Sequence, residues 1–197
     1  EVDLAEIPND PELVNYATNA GGAIFRTWCA QCHGSGAAGA RGYPNLLDND
    51  WLWGGTLDQI MQTIQFGARS GNPKAHEGQM LAFGRDGVLK KDEIVTVANY
   101  VRSLSGLSTA PKFDAAAGKK IFAENCTSCH GEDGKGNQEV GAPNLTDKIW
   151  LYGSDEDTLV ETITNGRAGV MPAWVGRLDP VTVKAMAVYV HSLGGGK

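Results

Sequence analysis

The sequence predicts an all-α chain made of two tandem copies of one small domain, each of about three helices. Three observations carry that expectation. All four cysteines fall in two identical patterns, Cys29-Ala30-Gln31-Cys32-His33 and Cys126-Thr127-Ser128-Cys129-His130. The residues around them recur in the same order in both halves. Strand-type alternation is missing, while glycine is abundant at 26 of 197 residues, as suits long loops with tight turns or backbone lying against something flat and bulky.

Composition bounds the rest. The chain is 42% hydrophobic with a net charge of −6, which is globular rather than disordered and poorly suited to nucleic acid. No apolar run approaches the roughly 20 residues of a membrane span. The start, Glu1-Val2-Asp3-Leu4, lacks the basic and apolar segments of a signal peptide. It reads as the start of a mature protein or of a piece of something longer.

Residues 1–19 read as an acidic extension, with five acids and no base before Leu13. Copy 1 spans 20–107 and copy 2 spans 108–197, joined by the linker-like Ser105-Gly106-Leu107-Ser108-Thr109-Ala110-Pro111. Gly21, Ile24 and Phe25 match Gly118, Ile121 and Phe122; Pro44-Asn45-Leu46 matches Pro143-Asn144-Leu145. Ile60, Thr63, Ile64 and Gly67 match Leu159, Thr162, Ile163 and Gly166, and Ala98, Tyr100, Val101 and Leu104 match Ala187, Tyr189, Val190 and Leu193. Within each copy the first helix ends at the cysteine motif, Asp114 being the expected N-cap in copy 2. The middle helix opens on the capping box Thr56-x-x-Gln59 in copy 1 and on Ser154 with Asp155, Glu156 and Asp157 in copy 2. The last helix runs from about Asp92 to Leu104 in copy 1 and starts at Asp179-Pro180 in copy 2.

C-x-x-C-H is the attachment signal of c-type haem. Two residues between the cysteines place both sulfurs along one porphyrin edge, where each forms a thioether to a vinyl group, and the histidine falls under the iron. Cys29, Cys32, Cys126 and Cys129 are therefore the expected covalent attachment points of two haem c groups, and His33 and His130 the proximal ligands. Structural zinc would not need a histidine after each pair, and a thioredoxin-like dithiol belongs in a βαβ setting. Met80 and Met171, in matching loops before the last helix of each copy, are the expected sixth ligands. A ligand from the same copy is the default, with exchange between copies the alternative. His76 is the only rival ligand nearby. Met61 and Met186 lie on helical apolar stripes and read as core. The carbonyls of Pro44 and Pro143 are placed to accept the Nδ1 protons of the two histidines. Trp51, Trp53, Trp150 and Trp174 read as packing around the porphyrins. Arg69 and Arg167, in nearly matching places, read either as partners of haem propionates or as surface charge.

With these residues in place, both halves resemble class I cytochromes c. Copy 1 is more specific. Gly42-Tyr43-Pro44-Asn45-Leu46, Trp51-Leu52-Trp53-Gly54-Gly55-Thr56, Gly67-Ala68-Arg69-Ser70-Gly71 and His76-Glu77-Gly78-Gln79-Met80 resemble the dihaem subunit of cbb3-type cytochrome c oxidases, the FixP/CcoP type. So does the opening Ala5-Glu6-Ile7-Pro8-Asn9-Asp10-Pro11-Glu12-Leu13. The resemblance implies a haem module on the periplasmic side of the bacterial inner membrane, tied to the membrane only through an N-terminal anchor absent from this sequence. It implies a role without catalysis of its own, passing electrons from a donor cytochrome c to the monohaem subunit and the oxygen-reducing catalytic subunit. Leu81 stands where that family usually has proline, whereas Met171 keeps its Pro172.

Three other readings compete. A free dihaem carrier similar to cytochrome c4 would share the chemistry but not the partners. A dihaem peroxidase needs an openable iron with acid–base groups beside it, for which His76 is the one candidate. A sensor would come with an output domain, and this sequence has none.

Overall fold

The computed structural model describes residues 2–195, so Glu1 of the acidic extension and Gly196 and Lys197 at the end of copy 2 lie outside the described residues. These residues hold eight α-helices, one 3-10 turn at Ile7–Asn9 and isolated bridges, but no strand. The helices are α1 (Pro11–Trp28), α2 (Ala30–His33), α3 (Leu57–Phe66), α4 (Lys91–Leu104), α5 (Ala115–Asn125), α6 (Thr127–His130), α7 (Glu156–Asn165) and α8 (Pro180–Ser192).

Local signals start these helices. The Thr56 hydroxyl and the Gln59 side chain form the reciprocal capping box of α3, and Asp114 accepts from the Ala116 and Ala117 amides at the head of α5. Asp179 does the same for α8, with Pro180 in its first turn. The cap of α7 is Asp155 rather than Ser154; its carboxylate accepts from the Thr158 amide at 2.9 Å. Asp10 caps α1 ahead of Pro11, so the helix begins inside the stretch read as an extension.

The compact units are not the sequence copies. Unit 1 is Glu1–Glu77 with Gly169–Lys197, and unit 2 is the continuous Gly78–Ala168. Each unit takes its last helix from the other copy: α8 packs on α1 and α3, while α4 packs on α5 and α7. In unit 1, Gly21 of α1 lies against the Ala185 carbonyl and the Tyr189 Cβ of α8. In unit 2, Gly118 of α5 lies against the Thr96 carbonyl and the Tyr100 Cβ of α4. A side chain at either glycine would separate the two helices.

The core of unit 1 is Phe25, Ala37, Ile60, Ile64, Val183, Met186, Ala187 and Val190. Met186 is core, as its helical stripe implied; Met61 is half-buried against it. A second cluster, Leu4, Ile7, Ala17, Ala185 and Val188, sits where the N-terminal segment meets α8. Unit 2 is built on Phe122, Leu145, Leu159 and Ile163 with Ile94, Val97, Ala98 and Val101 of α4.

Candidate functional site

In each unit the cysteine motif follows the first helix directly. Cys29 ends α1 and Cys126 ends α5, and the four-residue turns α2 and α6 present His33 and His130. All four thiols are free; Cys29 and Cys126 are half-buried, Cys32 and Cys129 exposed. Burial, helped by the neighbouring cysteine, pushes the Cys29 and Cys126 thiols up to about 11. Among the described residues no three His, Cys, Asp or Glu side chains converge as a zinc site requires.

Both histidines are aimed by backbone carbonyls. His33 Nδ1 lies 3.0 Å from the Pro44 oxygen and His130 Nδ1 lies 3.1 Å from the Pro143 oxygen. A carbonyl only accepts, so Nδ1 carries the proton in each ring and Nε2 offers its lone pair. The loops reach these positions by matched bonds. The amides of Gly39 and Leu46 donate to His33 and Ala37, and those of Gly136 and Leu145 to His130 and Gly134. Burial lowers the pKa of both imidazoles, the carbonyl bond partly opposing it; the neutral ring is the form that ligates a metal.

The two loop methionines arrive from the other copy. Met171 packs on the core of unit 1, as does Cys29. Met80 packs on the core of unit 2, as does Cys126. Each methionine is held by a short backbone ladder. Ala68 and Met171 exchange amide–carbonyl bonds at 3.0 Å, and Met80 and Arg167 do so at 2.9 and 3.1 Å. Gly67 and Gly166 allow this approach. Both have positive φ (72° and 70°), and a Cβ at either would strike the carbonyl of Met171 or Met80. The sequence alone left this pairing open because both loops fit either motif.

Haem c fits these residues by donor chemistry and by one orphaned atom. Two free thiols, a histidine with a free Nε2 and a methionine are the donor set of a thioether-linked, His–Met ligated haem. In unit 2 the Trp150 Nε1 is buried without a hydrogen-bond partner, a donor suited to a porphyrin carboxylate. Its counterpart Trp51 donates instead to the Gly195 carbonyl at 2.7 Å.

Beside each methionine ladder lies a cation-capable group on an aromatic ring. In unit 1 the His76 ring stacks on Trp53 (centroids 4.3 Å apart, 10° between planes), with Nε2 at 3.0 Å from Thr63 Oγ1. His76 is thus engaged with Thr63 and Trp53. In unit 2 the Arg167 guanidinium lies 4.2 Å from the Tyr152 centroid, donates to Thr162 Oγ1 from Nε and Nη2, and pairs with Glu161. Arg69 also lies near this ring, its guanidinium 6.0 Å from the Trp53 centroid, and donates from Nε to the Gly169 carbonyl at 2.6 Å. By its threonine bond and its closer ring contact the counterpart of Arg167 is His76, which comparison of the two copies in register does not reveal.

The helical fold, the thioether-forming motifs and the paired histidine and methionine loops define a c-type cytochrome, an electron-transfer protein with covalently bound haem c. The family model for subunit III of cbb3-type cytochrome c oxidase matches residues 17–101 and again 113–190, and the chain belongs to that family. It is 75% identical over 194 residues to the cbb3-type oxidase subunit FixP of Bradyrhizobium diazoefficiens, covering 98% of this chain and 67% of that protein. It is 58% identical to FixP of Azorhizobium caulinodans, over 100% of the chain and 66% of that protein. With subunit CcoP of Cereibacter sphaeroides it shares 54% identity, over 99% of the chain and 67% of that protein. The chain thus spans about two thirds of these relatives. No helix among the described residues is long and apolar enough to cross a membrane.

Proposed function

We propose that the chain carries two haem c groups and relays electrons from a donor cytochrome c to the monohaem and oxygen-reducing subunits of a cbb3-type oxidase, on the periplasmic face of the inner membrane and without catalysis of its own. One group would be held by Cys29, Cys32, His33 and Met171, the other by Cys126, Cys129, His130 and Met80. The observation that carries this reading is the packing of each methionine on the core that also bears the other copy's cysteine motif. The haem, when bound, supplies a one-electron couple, and thioether ligation keeps its potential high.

The residues of the chain do the rest. His33 and His130 give Nε2 while their Nδ1 protons stay on carbonyls, which fixes the ring and raises its basicity. Met171 and Met80 would each supply a thioether as the second protein ligand to a haem bound there. Leu81, 59% exposed beside Met80, leaves that loop without the fixed φ that Pro172 gives the other.

Replacing a methionine by histidine tests the pairing. Met171→His should lower the potential of the haem on Cys29 and Cys32, and Met80→His that of the haem on Cys126 and Cys129. Spectroelectrochemical titration, with each haem assigned through variants lacking one cysteine pair, reads this. If Met171→His moved only the haem on Cys126, ligation within each copy would replace the exchanged scheme.

A further inference from the structure

His76 and Arg167 occupy one station in two units. Each lies on an aromatic ring from matching loops, Trp53 or Tyr152, and each is bonded to a matching threonine, Thr63 or Thr162. Each also belongs to the backbone ladder beside a methionine. Arg167 pairs with Met80 directly, while His76 pairs with Gly67 and Arg69 on the far side of Ala68, which itself pairs with Met171. His76 is four residues from Met80 in sequence and bonds through its backbone to neither methionine. The station in unit 2 holds the permanent charge of Arg167; the one in unit 1 holds, besides Arg69 nearby, a group able to gain and lose its charge.

The hydrogen bonds show which nitrogen titrates. Thr63 gives its hydroxyl proton to the Gln59 carbonyl at 3.0 Å, so its oxygen accepts from His76 Nε2–H. Nδ1 is left to take and release a proton. We propose that His76 is a proton-binding group coupled to the electron held in unit 1, a coupling that unit 2, with Arg167 at the same station, lacks. His76 takes up a fraction of a proton from water when a donor cytochrome delivers an electron to unit 1, and returns it to water when the electron leaves for the next acceptor. The reason is Coulombic: a positive imidazolium beside the centre favours the reduced state.

The charges around His76 are few. Arg69, with its guanidinium 6.0 Å from the Trp53 centroid, and half-burial both lower the pKa of His76, burial more strongly. Lys74 lies over the Phe66 ring at 5.3 Å, and Glu77 follows in the chain. The one charged residue of α3 is Asp58, in its first turn, and 51–55 carries none. This inference rests on the ligand set proposed for unit 1.

The test is a spectroelectrochemical titration of the full chain with its haems, from about pH 5 to 8. One midpoint potential should fall as pH rises while the other stays level, and the sloping one should be the potential that Met171→His lowers. His76→Gln should abolish the slope and leave that potential near its alkaline wild-type value. Thr63→Val, which removes the acceptor that favours the imidazolium, should move the step to lower pH, and Thr63→Ser should restore it. Two level potentials in the wild type, a slope that survives His76→Gln, or a slope on the Met80 side would each overturn the proposal. A haemochrome count separates the failures. Fewer than two haems refutes the two-haem reading, whereas two haems with level potentials refute only the role of His76.

Discussion

Unit 1 holds its first helix with two elements, and unit 2 with one. α1 has 18 residues and packs on both α8 and the Ile7–Asn9 turn, with Leu4 and Ile7 buried against Ala185 and Val188. α5 has 11 residues and packs on α4 alone among the longer helices. The helix crossing is otherwise the same, glycine against tyrosine in both. The comparison teaches that each copy's last helix serves the unit of the other copy, and that the units differ both in the segment before α1 and in how matched residues such as Trp51 and Trp150 are bonded.

The largest expected effect comes from cutting the chain by space rather than by sequence. A fragment of residues 78–168, made where haem can be attached, should fold and show the ferric charge-transfer band of thioether ligation. A fragment of residues 108–197 should not, because it lacks α4 and Met80. Thioether ligation in the second fragment and not the first would break the comparison at its root.

Core truncation should separate the units more finely. Phe25 is fully buried in unit 1 and Phe122 is 2% exposed in unit 2. Either change to alanine should cost about 3–5 kcal/mol. Differential scanning calorimetry should show Phe25→Ala lowering one transition and Phe122→Ala the other. Equal lowering of both by either variant would mean that the units unfold as one.

The smallest effect concerns the heads of the exchanged helices. α8 is capped by the Asp179 carboxylate, whose pKa is lowered chiefly by the Thr182 hydroxyl and amide. A depressed carboxylate stabilises the fold above its unfolded pKa, about 3.9, and that contribution is lost as pH falls through the folded value. α4 instead has the Glu93 carboxylate reaching back to the Lys90 amide at 2.8 Å. Asp179→Asn should flatten the acid side of the melting profile of unit 1 below about pH 4 and leave that of unit 2 unchanged. An unaltered acid profile would show that the cap contributes nothing beyond its hydrogen bonds.

Much of this was legible in the residues because it is local. The capping boxes, Asp114 and Asp179 act over three or four positions, and the cysteine motif states its own chemistry. The Pro44 and Pro143 carbonyls were legible from their similar spacing, 11 and 13 residues, after each histidine. The exchange of last helices was not, for a physical reason. Tyr100 and Tyr189, Val101 and Val190, and Ala98 and Ala187 are identical pairs, so the residues around Gly21 and Gly118 do not say which last helix fills each groove. The linker at 105–111 marks where a copy ends, not where a compact unit does. The equivalence of His76 and Arg167 was equally hidden, since the two reach one station from different points along the chain.

Unit 2 is continuous in sequence and falls between the two segments of unit 1 along the chain, which sets an order of events during synthesis. A chain emerging from its N-terminus completes residues 78–168 while α1 and α3 still present Phe25, Ile60 and Ile64 without the helix that covers them. The half that begins first is closed last. A stop codon between Gly169 and α8 would therefore spare the C-terminal cysteine motif and Met80. It would strand the N-terminal motif, more than a hundred residues upstream, with neither its covering helix nor Met171 if the stop fell before that residue.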